Sequence, residues 1–174
     1  MASPSRPIGI FTIDPGGHSG LTWGIYDLAR PLVKEAMRTR KFSSSTTVEG
    51  NEDEQLQEYI IHWDAFTKKC DEWDVYRELV IEDFSLLPGS HTPGKEGISP
   101  VRHAWVFVGY LWGRDNPFAP TPIWQLPSIG MRYNERKMLE SWGAWIKGRP
   151  HERAAFAHAG ARLMRLYQNP SYKG

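Results

Sequence analysis

Cysteine is almost absent from this sequence. Cys70 is the single one, so no internal disulfide and no thiolate zinc site can form, and a reducing compartment fits. No apolar run approaches the roughly eighteen residues of a membrane-spanning helix, and the N-terminus has no signal-peptide core. Internal repeats and low-complexity tracts are missing too, as are a P-loop and a dinucleotide-binding fingerprint. The 174 residues suit one domain, expected over 8–168 between a leader at 1–7 and a tail at 169–174.

Net charge is nearly absent as well, at +1, but it is unevenly distributed. Residues 1–99 hold 10 Lys and Arg against 16 Asp and Glu, a net −6, while residues 100–174 hold 11 against 4, a net +7. A basic half suits a polyanion, because Lys and Arg release counterions from phosphate backbones. Solvated helix faces that happen to be basic explain the charge equally well. Tryptophan is abundant, with eight residues. Most suit a core, and some suit stacking on bases or on a partner.

Ile8–Ile13 is short, β-branched and apolar on both faces, the pattern of a central strand, and it ends in the turn cluster Asp14-Pro15-Gly16-Gly17. Leu21–Tyr26 predicts a second strand hairpinned to the first, and residues 32–42 a third. The Ser, Thr, Glu and Asn residues of 43–53 suggest a polar loop. Leu56, Tyr59, Ile60, Trp63, Phe66 and Cys70 recur at helical spacing, which predicts an amphipathic helix over 54–73. Glu78–Phe84 has the pattern of a buried strand, and the three glycines and two prolines of 85–98 that of a long loop.

Ser99-Pro100 is a helix start. Behind it Val101, Ala104, Trp105, Val108, Leu111 and Trp112 share one face, with Val106, Phe107 and Tyr110 on the other. A helix apolar nearly all round is either buried within the chain or shared with a second subunit. A strand at 121–126, a helix at 134–147 and a last helix from His151 to Tyr167 complete a mixed α/β domain.

Two acids close predicted strands: Asp14 the first, and Glu82 the buried strand at 78–84. Such ends cluster on one rim of an open sheet, where ligands bind. Two carboxylates brought together repel unless a cation lies between them, so a hard divalent metal is the natural inference. Singly, Asp14 is ordinary turn chemistry and Glu82 or Asp83 a solvent-facing strand end. On the last helix His151, Ala154, Ala155 and His158 share a face.

Ile13-Asp14-Pro15-Gly16 with Ser19-Gly20-Leu21 resembles the first-strand motif of RuvC-type Holliday-junction resolvases, in the ribonuclease-H-like superfamily. Val80-Ile81-Glu82-Asp83-Phe84 resembles the second acidic motif of that family. His151-Glu152-Arg153-Ala154-Ala155 with His158-Ala159 resembles its C-terminal helix motif, in the version seen in phage-encoded relatives. The resemblance spans about residues 8 to 166 and implies a ribonuclease-H-like α/β fold, a five-stranded mixed sheet flanked by helices. It further implies a homodimeric, metal-dependent endonuclease that cuts four-way DNA junctions by paired nicks in recombination and repair. The setting would be a bacterial or phage-infected cytoplasm. Carried over by position, Asp14, Glu82 and His151 are catalytic and metal-binding. Two Mg²⁺ or Mn²⁺ ions roughly 3.5–4 Å apart would clamp the scissile phosphate.

One position departs from the pattern. The motif has a metal-binding aspartate where this chain has Ala154. Alanine offers no lone pair, and Glu152 points about 100° around the helix from His151. The expectation is an inactivating Asp→Ala change at Ala154, in a naturally weakened member or a disabled variant. Arg132, Arg136, Lys137, Lys147, Arg149 and Arg153 are the candidate phosphate contacts, and His18 is another in the first turn. The helix 100–112 is the expected dimer surface. A non-catalytic module that binds branched DNA or a partner is the alternative, and a flap or RNA–DNA hybrid endonuclease is a further one.

Overall fold

The computed structural model describes residues 7–16, 18–83, 99–115 and 119–169. The leader before Pro7, the tail after Asn169 and the expected 85–98 loop lie outside these residues. Five strands form one sheet: β1 (Ile8–Asp14), β2 (Ser19–Tyr26), β3 (Lys41–Val48), β4 (Tyr76–Glu82) and β5 (Ile123–Gln125). Their order is β3-β2-β1-β4-β5. β1 runs antiparallel to β2 and parallel to β4, and β5 adds in parallel beyond β4. The sheet is therefore mixed, as expected.

Helices cover both faces, and the two-residue alternation of each strand decides which side chains meet which helices. Phe11 and Ile13 of β1, Leu21 and Trp23 of β2, and Leu79 and Ile81 of β4 face α2 (Glu52–Glu72) and α3 (Ser99–Asp115). They pack there with Tyr59, Trp63, Phe66 and Phe107. Ile8, Ile10, Tyr26 and Val80 face the other way, toward α6 (Pro150–Gln168) through Phe156 and Leu163. Met37 of α1 (Val33–Arg38) and Leu139 of α5 (Arg136–Ser141) complete that second core. A short α4 (Pro127–Tyr133) links β5 to α5.

α2 is punctuated by sequence: Asn51 accepts from the Asp53 and Glu54 amides, and Glu54 accepts the Asn51 amide in return, a reciprocal cap. Its buried positions Gln55, Tyr59, Trp63, Phe66 and Cys70 form the apolar stripe that the spacing predicts, with one amide at its start.

Three expectations are corrected. Of the expected third strand at 32–42, residues 33–38 form helix α1 and only 41 and 42 are strand, the start of a β3 that runs on through the Ser/Thr-rich stretch expected as a loop. β3 is an edge strand, largely open to solvent, so it needs no apolar alternation, while its Thr and Val residues favour extended backbone. The helix expected at 134–147 stops at Ser141, where Gly143 takes φ +65° and Gly148 takes φ +77° to turn the chain toward α6. On α3, Ala104, Phe107, Val108 and Leu111 are the buried side, and Trp105 and Trp112 join Val106 and Tyr110 outside.

Candidate active site

Asp14 and Glu82 come together because of strand parity and register. Asp14 falls on the same face of β1 as Ile8 and Ile10, and Glu82 on the same face of β4 as Val80, so both point toward α6. The β1–β4 ladder pairs Ile13 with Ile81, and the next step along each strand is the acid. The two carboxyls are hydrogen-bonded to each other. Both are buried, at 6% and 7% exposure.

That burial splits their protonation. Desolvation, then the hydrogen bond and the charge of Glu82, push the Asp14 carboxyl up to about 9. Burial also works to raise Glu82, but hydrogen bonds from His158 and Asp14 outweigh it and hold Glu82 below the usual carboxylate range. The pair thus shares one proton at neutral pH, as two carboxyls in one low-dielectric site do.

The turn carrying Asp14 is fixed from below. Ser19 Oγ accepts from the Gly16 amide at 3.2 Å and from the Tyr59 hydroxyl at 2.5 Å, and donates to Gln55 Oε1 at 2.7 Å. The Ser19 hydroxyl thus closes the turn through Gly16 and ties it to α2 through Gln55 and Tyr59.

α6 supplies the third side. Its first turn lies against β2 at Gly20, where any Cβ would fall on the His151 carbonyl. Gly20 pairs with Asp14 across the hairpin, so the glycine lets the helix start beside the acids. His151 Nδ1 lies 3.5 Å from Asp14 Oδ2. Desolvation and the neighbouring His18 lower the His151 pKa, so a neutral imidazole meets a protonated carboxyl and this contact is not an ion pair at neutral pH.

Ala154 lies one turn along α6, half-buried, and its methyl brings no donor or acceptor. Glu152 does not replace it. Its Oε1 accepts from Thr47 Oγ1 at 3.2 Å and from Arg149 Nη1 at 2.9 Å, turned toward β3. Among the described residues no three His, Cys, Asp or Glu side chains are grouped so as to hold a metal ion. The chemistry of the donor pair nevertheless suits a hard cation at Asp14 and Glu82, since two buried carboxyls side by side oppose each other's ionisation and a bound positive charge would relieve that.

A polar cavity of about 480 Å³ opens beside this centre, lined by His18, Thr46, Thr47, Arg149, His151 and Glu152. Of the six expected phosphate contacts, Arg149 lines it. Arg132, Lys137 and Lys147 are exposed, and their side chains make no hydrogen bond or ion pair to another described residue. Arg136 is paired with Glu140 at 2.7 Å. Arg153 is structural: it donates to the Ile146 carbonyl at 3.0 Å and lies over the Trp145 ring. His18 is exposed, 3.9 Å from Glu49.

Among the residues that the motif reading did not assign to the site, His158 and Gln125 stand out. The fully buried His158 places Nε2 3.0 Å from Glu82 Oε2 and Nδ1 2.8 Å from Gln125 Oε1. The seven-residue offset from His151 was the available signal for His158. Nothing local marks Gln125, whose place follows from its strand pairing with Glu82.

The same fold is found in solved resolvase structures. The chain matches Thermus thermophilus RuvC in complex with a Holliday junction substrate at TM-score 0.54 and 12% identity, over 91% of this chain and 94% of that one. It matches a second Thermus thermophilus RuvC structure at TM-score 0.53 and 11% identity, over 91% and 95%. No protein-family model and no curated protein matches the sequence. The α/β architecture with its five-stranded mixed sheet is that of RuvC.

Proposed function

We propose that this protein is a divalent-metal-dependent endodeoxyribonuclease of the RuvC type, close to phage-encoded members, that resolves four-way DNA junctions by paired nicks. The observation that carries the reading is the buried Asp14–Glu82 carboxyl pair at the sheet rim, beneath the first turn of α6. It lies in a fold whose solved counterpart is bound to a Holliday junction. Asp14 and Glu82 would hold Mg²⁺ or Mn²⁺. When bound, the metal supplies positive charge for the scissile phosphate and acidifies a water. His151, 3.5 Å from Asp14, would either help hold the metal or take up a proton. Arg149, with the exposed Arg132, Lys137 and Lys147, would bind flanking phosphates.

Ala154 favours a second statement about the chain as it stands: it binds junctions and cuts them poorly or not at all. An aspartate here would return the third carboxylate and with it a full complement for two ions. The exposed face of α3 is the surface through which two copies would pair, since two symmetric nicks need two centres. Work in a bacterial or phage-infected cytoplasm follows from the same reading.

The test is cleavage of an end-labelled four-way junction with Mg²⁺ or Mn²⁺ by this chain and by Ala154→Asp, alongside gel-shift binding. Binding by both, with symmetric nicks gained on Ala154→Asp, is the expected result. Binding by both without nicks makes the protein a non-catalytic junction-binding module. Cutting of flaps or RNA–DNA hybrids in preference to junctions moves the substrate class. Absence of binding by either overturns the branched-DNA reading.

A further inference from the structure

We propose that His158, braced by Gln125, is the positioning residue that fixes Glu82 for metal binding beside Asp14. The inference rests on the metal-dependent reading of the Asp14–Glu82 pair and assigns two residues that the three sequence motifs leave without a role.

A glutamate at a strand end has three side-chain torsions, so a buried one must be tied down to present its oxygens in one direction. Glu82 is tied by an imidazole. Its Oε2 receives His158 Nε2 at 3.0 Å, which occupies one side of the carboxylate and leaves the rest for Asp14 and a cation. The ring is itself immobilised, because Nδ1 is engaged by the Gln125 side chain at 2.8 Å. Gln125 is delivered by the shortest strand of the sheet, at the position paired with Glu82. The three side chains thus form one buried row, Glu82–His158–Gln125, with His158 and Gln125 both at 0% exposure.

The surroundings are shaped to this ring. Gly130 of α4 lies so near it that a Cβ there would fall on the imidazole Nε2, so the backbone leaves room for a histidine and for little else. His158 lies four residues after Ala154 and seven after His151, on the same face of α6. Where the resembling motif has a carboxylate at the Ala154 position, this helix brings two imidazoles, one beside each sheet acid. Hydrogen-bond partners behind a metal ligand set its orientation, and their loss costs about 10- to 100-fold in metal affinity.

The test uses the full chain with three variants, His158→Leu, His158→Gln and Gln125→Met, each checked for folding by circular dichroism and thermal melting. Mn²⁺ affinity is read by electron paramagnetic resonance and junction affinity by gel shift. His158→Leu is expected to lose about tenfold or more in Mn²⁺ affinity. His158→Gln, which keeps a donor, should recover most of it, and Gln125→Met should fall between. Junction affinity stays unchanged in all three. A folded His158→Leu that binds Mn²⁺ like the parent overturns the inference and leaves the metal reading standing, whereas a parent and an Ala154→Asp variant that both fail to bind Mn²⁺ overturn the metal reading itself. A metal-free measurement is independent of that outcome. The ¹⁵N resonance of His158 Nε2 should move in Glu82→Gln, and a resonance that does not move overturns the contact. Should His158→Leu not fold, the Gln125→Met affinity and this resonance decide the matter.

Discussion

Arg162 grips Glu78 through two parallel hydrogen bonds, Nε to Oε2 and Nη2 to Oε1, both at 2.6 Å. Glu78 and Glu82 lie four residues apart on one face of β4, and Arg162 and His158 lie four apart on α6, so the helix crosses the strand in the opposite direction with two polar contacts. The clamp sets how far along the sheet α6 lies, and hence where His151 falls relative to Asp14. Arg162→Met should cost about 3 kcal/mol in urea denaturation, because it leaves the buried Glu78 without its partner. The double variant with Glu78→Gln should recover most of that loss. A single variant as stable as the parent would show that the clamp contributes nothing.

Gly20 makes a related argument about catalysis. A methyl there collides with backbone at His151 and Glu152, and backbone cannot swing aside as a flexible side chain can. Gly20→Ala in an Ala154→Asp background should reduce cleavage about 100-fold by displacing the first turn of α6, with junction binding retained. Single-turnover cleavage and gel shift measure the two separately.

The sheet's central strands were legible because they are apolar on both faces and end in turn chemistry, and α2 because its stripe is long and periodic. β3 was not, since an edge strand carries polar residues on its open side, and Ser44–Thr47 read like a loop. The two acids were legible as strand ends, but their contact depends on parity and register across strands distant in sequence. His158 was visible as a face-sharing histidine, whereas its contact with Glu82 requires knowing where α6 crosses β4. Gln125 gave no signal at all, because a three-residue strand has no period.

The outer face of α3 carries Trp105, Val106, Tyr110 and Trp112 at 51%, 47%, 38% and 47% exposure. Trp105 is already held against Trp124, ring centroids 4.7 Å apart, which makes the patch stiff. An exposed apolar patch of this kind suits a partner surface. With the proposed dimer formed through this face, Trp112→Asp should leave a 19.9 kDa monomer in sedimentation equilibrium while its melting temperature changes little. A parent that sediments as a monomer throughout would remove the dimer from the proposed mechanism.

The Asp14 proton makes stability fall with pH. The Asp14 carboxyl is raised in the folded protein to about 9 from an ordinary value of 3.8, so across that interval the folded state holds a proton that the unfolded chain has released. Stability contributed by the group is complete below the lower value and is lost as pH rises through the upper one. Glu82, lowered on folding, acts in the opposite sense and only in acid, below its ordinary value of 4.5. Between pH 5 and 9 the Asp14 effect therefore stands alone within the pair. Asp14→Asn keeps a neutral, hydrogen-bonding side chain beside Glu82 and removes the titration. Thermal melts of the parent in a metal chelator should decline steadily across this range relative to Asp14→Asn, and the gap should favour the variant most at pH 9. Adding Mn²⁺ should raise the parent curve at the alkaline end and leave Asp14→Asn nearly unmoved, because a bound cation takes over the role of the proton. Parallel curves for the two proteins in chelator would show that Asp14 is ionised in the folded state and that the carboxyl pair shares no proton.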